Sequence, residues 1–304
     1  MTLRSLVYDG STVGLDAASC RTVDSARNRI PRLVTVSQSA MLFREGSYGP
    51  GVTAFEKGDE VYGMVGGVGG LQGTLAEFAA VDIDLLARKP ANLSMRQAAA
   101  LPLSVITAWE GLVDRAKVHE EQKVLIHAGA GGVGYNAIQI AQAFGATVYA
   151  TVSPEKKKVV EDLGASAIDY RSASVEEYVN ACTEGKGFDI VYDTVGGATL
   201  DASFASVKRY TGHVLSSLGW GAHSLAPLSF RGATYSGVFT LLPMITGENR
   251  AHHGEILAHA ASIAKAGKLK PLLSEERFSV SNIEAAFARA QAGSLGKIVV
   301  EIGA

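Results

Sequence analysis

From Gly129 to Gly134 the chain reads Gly-Ala-Gly-Gly-Val-Gly. Gly129, Gly131 and Gly134 fill the G-x-G-x-x-G frame that lets a main chain approach a dinucleotide pyrophosphate. In that frame Gly129 serves a tight turn. Gly131 leaves room where a side chain would collide with the diphosphate, and Gly134 lets a helix pack closely on the preceding strand. Ala130, Gly132 and Val133 complete the turn, so that helix N-terminal N–H groups and the helix dipole face negative charge. The frame gains meaning from its flanks. The apolar run "KVLIHA" (123–128) precedes it, and "VGYNAIQIAQAFG" follows with apolar residues at helical spacing. A second cluster, "GMVGGVGGLQG" (Gly63–Gly73), shares the string GGVG. Counted from Gly67, its sixth position is Gln72, and no helical run follows. It reads as a loop that can at most border a cleft.

The next position with chemical content is the end of the strand after the glycines. An NAD site usually places an acidic residue there, about twenty residues on, to hold both ribose hydroxyls. Here Thr151, Val152 and Ser153 occupy that place, followed by Glu155 and then Lys156, Lys157 and Lys158. A hydroxyl and an ammonium suit a 2′-phosphate better than a diol. NADP(H) is therefore expected, with Glu155 and Asp162 moderating the signal. At least one of the three lysines must belong to a solvated helix face.

These groups need strands that end together and helices that begin beside them. From about residue 122 the pattern alternates: "ATVYATV", "SAIDY" and "FDIVYDTV" as strands, "SPEKKKVVEDLG" and "SVEEYVNACTEG" as helices. That is an α/β, doubly wound parallel sheet. Before it, "FEKGDEVYGM", "GTLAEFAAVD" and "LLARKPANLS" are short and turn-punctuated, as in a β-rich unit. The last stretch reads strand, helix, strand. Expected domains are residues 1–106 with 269–304, and residues 107–268. The 304 residues carry 47% hydrophobic and 19% charged side chains and a net charge of −2. This composition argues against disorder and gives no basic field for nucleic acid. No apolar run is long enough for a membrane span. Cys20 and Cys182 are the only cysteines, so a disulfide framework is excluded and a cytoplasmic location is expected.

The segments "GVTAFEKGDEVYGM", "GTLAEFAAVD", "AAALPLSVITAWEGL", "KVLIHAGAGGVG", "LGASAIDYR", "FDIVYDTVGG" and "GKIVVEI" resemble, in order, the medium-chain dehydrogenase/reductase superfamily in its zinc-independent, quinone oxidoreductase-like branch. The resemblance implies a GroES-like β-rich domain and a Rossmann domain with the active-site cleft between them. It implies that Ser153, Lys156 and Tyr170 hold a 2′-phosphate and that Thr107 lies near the nicotinamide. Val195 and Gly196, Leu218 and Gly219, and Val238 and Phe239 match further cofactor-side segments. Thr107, Tyr170 and Phe239 equally suit ordinary helix or core positions. A homodimer through "GATYSGVFTLL" is implied as well.

The family's zinc-binding cysteine, Gly-His-Glu and four-cysteine lobe have no counterpart here. His252, His253, Glu255 and His259 lie on one expected surface helix, where a weak metal site is an alternative to plain solvation. Without a Lewis acid, the implied small-molecule acceptor is a quinone or an α,β-unsaturated carbonyl, which takes hydride without one. Trp109, Trp220 and Phe239 could line its pocket. A non-catalytic, crystallin-like NADPH-binding protein and a zinc-free alcohol dehydrogenase are the alternatives. Residues 11–48 depart from the family pattern. A divergent domain, a truncated one or a frameshifted gene would account for that, and each predicts missing strands and exposed sheet edges.

Overall fold

The computed structural model describes residues 54–56, 58–76, 79 and 81–302, and the backbone of 32–35 and 40–43. Twelve strands are described: β1 (Arg32–Thr35), β2 (Ala40–Phe43), β3 (Val61–Met64), β4 (Leu86–Arg88), β5 (Lys123–Ile126), β6 (Thr147–Val152), β7 (Ser166–Asp169), β8 (Ile190–Asp193), β9 (His213–Ser216), β10 (Thr234–Gly237), β11 (Phe278–Ser279) and β12 (Val299–Ile302).

Strands β5 to β10 form one sheet, in the order β10-β9-β8-β5-β6-β7. Every pair in it is parallel. The order reverses between β5 and β8, and that switch point is where a doubly wound fold opens its crevice. The alternation of apolar runs with helical spacings predicted this arrangement. Val124, Leu125, Ile126, Val191 and Tyr192 are buried because helices cover both faces. Two helices, one beside each sheet, start on the capping pattern Ser-x-x-Glu/Gln. Ser94 caps Met95–Ala99 and Ser174 caps Val175–Thr183, each with reciprocal bonds to the residue three positions on.

The second sheet runs β11-β12-β1-β2-β3-β4. It is antiparallel except for β11 with β12. Strand β12 pairs with β1, Arg32 opposite Ile302, so the end of the chain completes a sheet begun near its start. Both β1 and β2 fall within 11–48. The expectation that this stretch removes strands is corrected for these two segments, whose backbone pairs in register despite the unusual side-chain text. The rest of 11–48 lies outside the described residues. So do Glu77, Phe78 and Ala80 of "GTLAEFAAVD".

The helix Arg250–Lys265 joins the two sheets. A β-carbon at Gly254 would lie 2.6 Å from the Asp84 carbonyl oxygen and 2.9 Å from that of Leu86. The helix therefore seats its backbone directly on β4 and covers an edge strand. Tyr62 of β3 donates a buried 2.7 Å hydrogen bond to the Leu257 carbonyl of this helix. His253, Gly254, Ile256 and Leu257 are buried, which corrects the surface-helix reading. One apolar cluster runs through Tyr62 and Met64, across Ile106 and Leu257, to Ile126 and Ile138. Among the described residues no helix is long and apolar enough to cross a membrane.

Candidate cofactor and acceptor cleft

Strand β5 delivers the chain to the glycine turn, and the helix Gly132–Ala143 leaves it. The left-handed residue of this turn is Ala128, at φ 54°. None of Gly129, Gly131, Gly132 or Gly134 has positive φ. Their need for hydrogen is proximity. A β-carbon at Gly129 would lie 2.6 Å from Ala150 Cβ on β6, so the tight-turn role expected for Gly129 is corrected to close packing. One at Gly134 would run into the Ala128 carbonyl oxygen. One at Gly132 would lie 2.8 Å from Lys297 Nζ. The turn is tied down by Ala128 N–H, which donates to Thr151 Oγ1 at 3.2 Å, and by Gly129 N–H, which donates to the Thr151 carbonyl at 2.9 Å.

Facing this turn is a cleft of about 230 Å³. Ala130, Gly131, Gly132, Tyr135, Asn136 and Lys156 line one wall, and Pro271, Leu272, Gly296 and Lys297 the other. Part of its lining is main chain that a side chain would crowd, and Lys156 and Lys297 bring two cations to it. A dinucleotide diphosphate fits that chemistry. Burial lowers the Lys297 ammonium to a pKa of about 8. The sequence reading missed Lys297. Its signal was the match "GKIVVEI", which was used for the fold and not for the site. His127, just before the turn, is buried with Nδ1 3.1 Å from Thr151 Oγ1, and burial lowers its pKa to about 4. It is neutral at ordinary pH and serves the turn as a spacer.

At the end of β6 the three lysines separate. Lys157 and Lys158 pair with Glu161 and Asp162 one helical turn on, at 3.5 and 2.6 Å. Only Lys156 borders the cleft. Ser153 sits at the start of this turn, and Tyr170, 56% exposed, follows β7. Tyr170 is therefore no core aromatic. Arg171, unassigned from sequence, pairs with Glu155 at 2.7 Å and lies over the Tyr170 ring.

The ends of β8, β9 and β10 are organised by Asp193, another residue the sequence reading missed. It is fully buried and accepts from Val195 N–H (3.1 Å), Gly196 N–H (2.9 Å) and Ser216 Oγ (2.6 Å). Ser216 Oγ in turn accepts from Leu218 N–H at 3.2 Å. Gly196 adopts φ 82°, and a β-carbon there would lie 2.5 Å from the Leu218 carbonyl oxygen. Val195, Gly196, Leu218 and Gly219 thus belong to adjoining turns held by one carboxylate. Val238 N–H donates to the Ser216 carbonyl at 2.8 Å, which brings Val238 and Phe239 to the same rim. Phe239 and Trp220 meet edge to face, centroids 5.5 Å apart, both partly exposed.

Thr107 sits on the helix Pro102–Trp109, buried at the back of this rim. Its hydroxyl donates to the Leu103 carbonyl and lies 3.0 Å from Thr240 Oγ1. Thr240 Oγ1 is also 3.2 Å from Glu110, whose other oxygen is 3.4 Å from His253 Nε2. The helix continues as a wider π turn over Glu110–Arg115. Gly111 there admits the Tyr192 ring, whose hydroxyl donates to the Thr107 carbonyl at 2.6 Å.

The histidine helix brings together no metal site. His252 meets Asp114 and Glu255, His253 meets Glu110, and His259 stacks on Trp109. Among the described residues no three His, Cys, Asp or Glu side chains are placed so that they could hold a metal ion. Trp109 is buried between Phe144 and His259, so it is core and not acceptor lining. The first glycine cluster is a loop. Gly67, Gly69 and Gly70 have positive φ, and a β-carbon at Gly69 would lie 3.0 Å from Ile245 Cα in the helix Leu242–Thr246. It bridges the second sheet to the helix that follows Phe239.

The family model that matches, described as zinc-binding dehydrogenase, covers residues 132–249. The two histidines of that span, His213 and His223, face Ser236 and Asp201. An alcohol dehydrogenase superfamily protein from Novosphingobium aromaticivorans superposes with a TM-score of 0.84 at 46% identity, over 92% of this chain and 94% of that one. The 2-methylene-furan-3-one reductase of Solanum lycopersicum is 34% identical over 261 residues, 83% of this chain and 60% of that protein. The putative inactive phenolphthiocerol synthesis polyketide synthase type I Pks1 of Mycobacterium tuberculosis is 41% identical over 164 residues, 53% of this chain. The chain spans 10% of that synthase, so it is under two thirds of the length of either curated relative. With a doubly wound sheet, a glycine turn at its switch point and a near full-length match at 46% identity, the chain belongs to the medium-chain dehydrogenase/reductase superfamily of oxidoreductases.

Proposed function

We propose that the protein reduces a quinone or an α,β-unsaturated carbonyl with NADPH. The observation that carries the reading is that two surfaces follow the ends of strands in one parallel sheet, and so lie along the same edge of it. The glycine turn, Lys297, Lys156 and Ser153 suit a dinucleotide with a 2′-phosphate. Val195, Leu218, Trp220 and Phe239 expose apolar surface where the strands β8 to β10 end. In this reading residues 107–268 hold the cofactor with the help of Lys297, and 1–106 with 269–304 complete the acceptor side.

The nicotinamide, when bound, supplies a hydride. The protein's own task is alignment and exclusion of water. Asp193 fixes the two turns that would border the ring, and Thr107 with Thr240 offers hydroxyls behind it. Trp220 and Phe239 offer a flat apolar face to a planar acceptor. Hydride addition to a quinone or to the β-carbon of an enone leaves an oxyanion that is already delocalised, so no metal ligand set is required of this chain. The name of the tomato relative, a reductase of a methylene-furanone, favours the activated alkene. The exposed edge strand β10 supports a homodimer.

Mixing the protein with NADPH and an ortho-quinone, a para-quinone or an enone, while following nicotinamide absorbance, tests the reading. Oxidation with at least one acceptor is expected. Tight NADPH binding with no turnover on any of the three refutes it.

A further inference from the structure

The proposed 2′-phosphate subsite already holds an anion. The Glu155 carboxylate lies 2.7 Å from Arg171 Nη1. The Ser153 hydroxyl donates to the same carboxylate. The Arg171 guanidinium in turn lies 5.8 Å from the centroid of the Tyr170 ring. Ser153 and Arg171 thus meet one carboxylate where β6 and β7 end, with Tyr170 against the guanidinium. Lys156, adjacent in sequence, borders the cleft.

We propose that Glu155 is an internal stand-in for the cofactor's 2′-phosphate. In the free protein it occupies the hydroxyl and the guanidinium that a phosphate would take, and it must release both when the cofactor binds. This inference rests on the NADPH reading above. A carboxylate and a phosphate monoester offer an arginine fork the same paired acceptors. Two anions at one fork repel, so the two ligands exclude each other. Exposure sets the strength of the hold. The Glu155 and Arg171 side chains are 64% and 53% exposed, and such pairs are weak and exchangeable. The hydroxyl of Ser153, a backbone N–H and Arg171 keep the Glu155 carboxyl well below the usual range. The carboxylate is therefore charged at working pH, and release occurs by displacement, not by protonation. Lys157 and Lys158 are engaged with Glu161 and Asp162, so they do not compete for it.

The test compares the full chain with its E155Q variant. Dissociation constants for NADPH and NADH come from nicotinamide fluorescence, and those for 2′,5′-ADP and 5′-AMP from calorimetry, all at low salt. E155Q is expected to bind NADPH and 2′,5′-ADP about three- to tenfold tighter, and NADH and 5′-AMP within about twofold of wild type. An unchanged ratio of NADPH to NADH affinity in E155Q, with wild type still preferring NADPH, overturns the stand-in and leaves the cofactor reading intact. Weaker NADPH binding in E155Q makes Glu155 a support for Arg171 and overturns the stand-in as well. Loss of NADH affinity alone would make Glu155 a ribose-hydroxyl acceptor, which likewise overturns the stand-in. If wild type shows no preference for the phosphorylated ligands, the cofactor reading fails. The stand-in, which rests on that reading, then fails with it.

Discussion

Lys297 makes cofactor affinity depend on pH in a direction that can be worked out. Its Nζ lies 2.8 Å from where a Gly132 β-carbon would be, and burial lowers its pKa from 10.5 to about 8. A diphosphate on the glycine turn would favour the charged ammonium and raise that pKa again. Binding then takes up a proton wherever the free protein has lost one. At pH 7 nearly all Lys297 is charged, at pH 8 about half, and at pH 9 about one part in ten. The NADPH dissociation constant should stay flat below about pH 7, double by about pH 8 and rise roughly tenfold by pH 9. Calorimetry in two buffers of different ionisation enthalpy should show uptake of about half a proton at pH 8. K297M keeps the bulk and removes the charge. It should weaken binding by about 1.5–3 kcal/mol at pH 7, the range of a charge-assisted hydrogen bond, and abolish the pH dependence. The same shift has a consequence for the free protein. An unfolded lysine holds its proton up to pH 10.5 while the folded one releases it near 8, so this group's contribution to stability rises from pH 8 to 10.5. A dissociation constant that is flat from pH 7 to 9 in wild type, or one that rises equally in K297M, refutes the assignment of Lys297 to the diphosphate.

Three further substitutions separate packing from binding. Gly134→Ala gains about 1 kcal/mol of helix propensity but drives a methyl into the Ala128 carbonyl, an overpacking cost of about 1–3 kcal/mol. A net loss of stability and weaker NADPH binding are expected from denaturant melts and fluorescence titration, and an unchanged midpoint would contradict the contact. Lys156→Ala should weaken NADPH binding about tenfold and NADH little, whereas Lys158→Ala, whose partner is Asp162, should alter neither. Equal effects of the two would show that only net charge matters. Asp193→Asn can keep the acceptor for Val195 and Gly196 while Ser216 reverses its hydroxyl, so its effect on KM for NADPH should stay within about threefold. Asp193→Ala orphans three donors, two of them buried, and should cost about 3 kcal/mol in a melt. Equal melts for Asn and Ala would refute that role.

The cofactor half of the fold was legible because its signals are local. A run such as "KVLIHA" followed by helical spacing specifies a buried parallel strand and its crossover whatever lies elsewhere. The second sheet was less legible. The grouping of 269–304 with 1–106 was expected, but no local pattern says that β12 pairs with β1, or in what register. The surface-helix reading of "RAHHGEILAHAA" failed for a related reason. Histidine and glycine look solvated in sequence, yet Gly254 is what permits the approach to β4, and His253 is buried beside Glu110. Asp193 was invisible because an acidic residue at a strand end has many uses, and only the turns of Val195 and Leu218 brought together show this one.

The two GGVG strings show why shared letters do not imply shared chemistry. Glycine has two separate freedoms, a positive φ and the absence of a β-carbon. The loop Gly63–Gly73 uses the first at its tip, although Gly63 and Gly66 at its base also leave no room for a β-carbon. Gly67, Gly69 and Gly70 turn left-handed, and a larger residue there meets backbone strain even where space is open, as at Gly70. The turn Gly129–Gly134 uses only the second, and lets Ala128 carry the left-handed conformation. A turn built by φ can change its length or sequence as long as some residue tolerates the dihedral. A turn built by proximity fixes three distances at once: to Ala150 on the neighbouring strand, to the Ala128 carbonyl, and to Lys297 across the cleft. The N–H groups of Gly129 and Gly131 bond within the turn and to β6, so an anion there would meet the first helical N–H groups, from Gly132 on. Of the two strings, only the second stands between a parallel strand and a helix N-terminus, as a diphosphate site requires, whereas the first is a loop against the helix Leu242–Thr246.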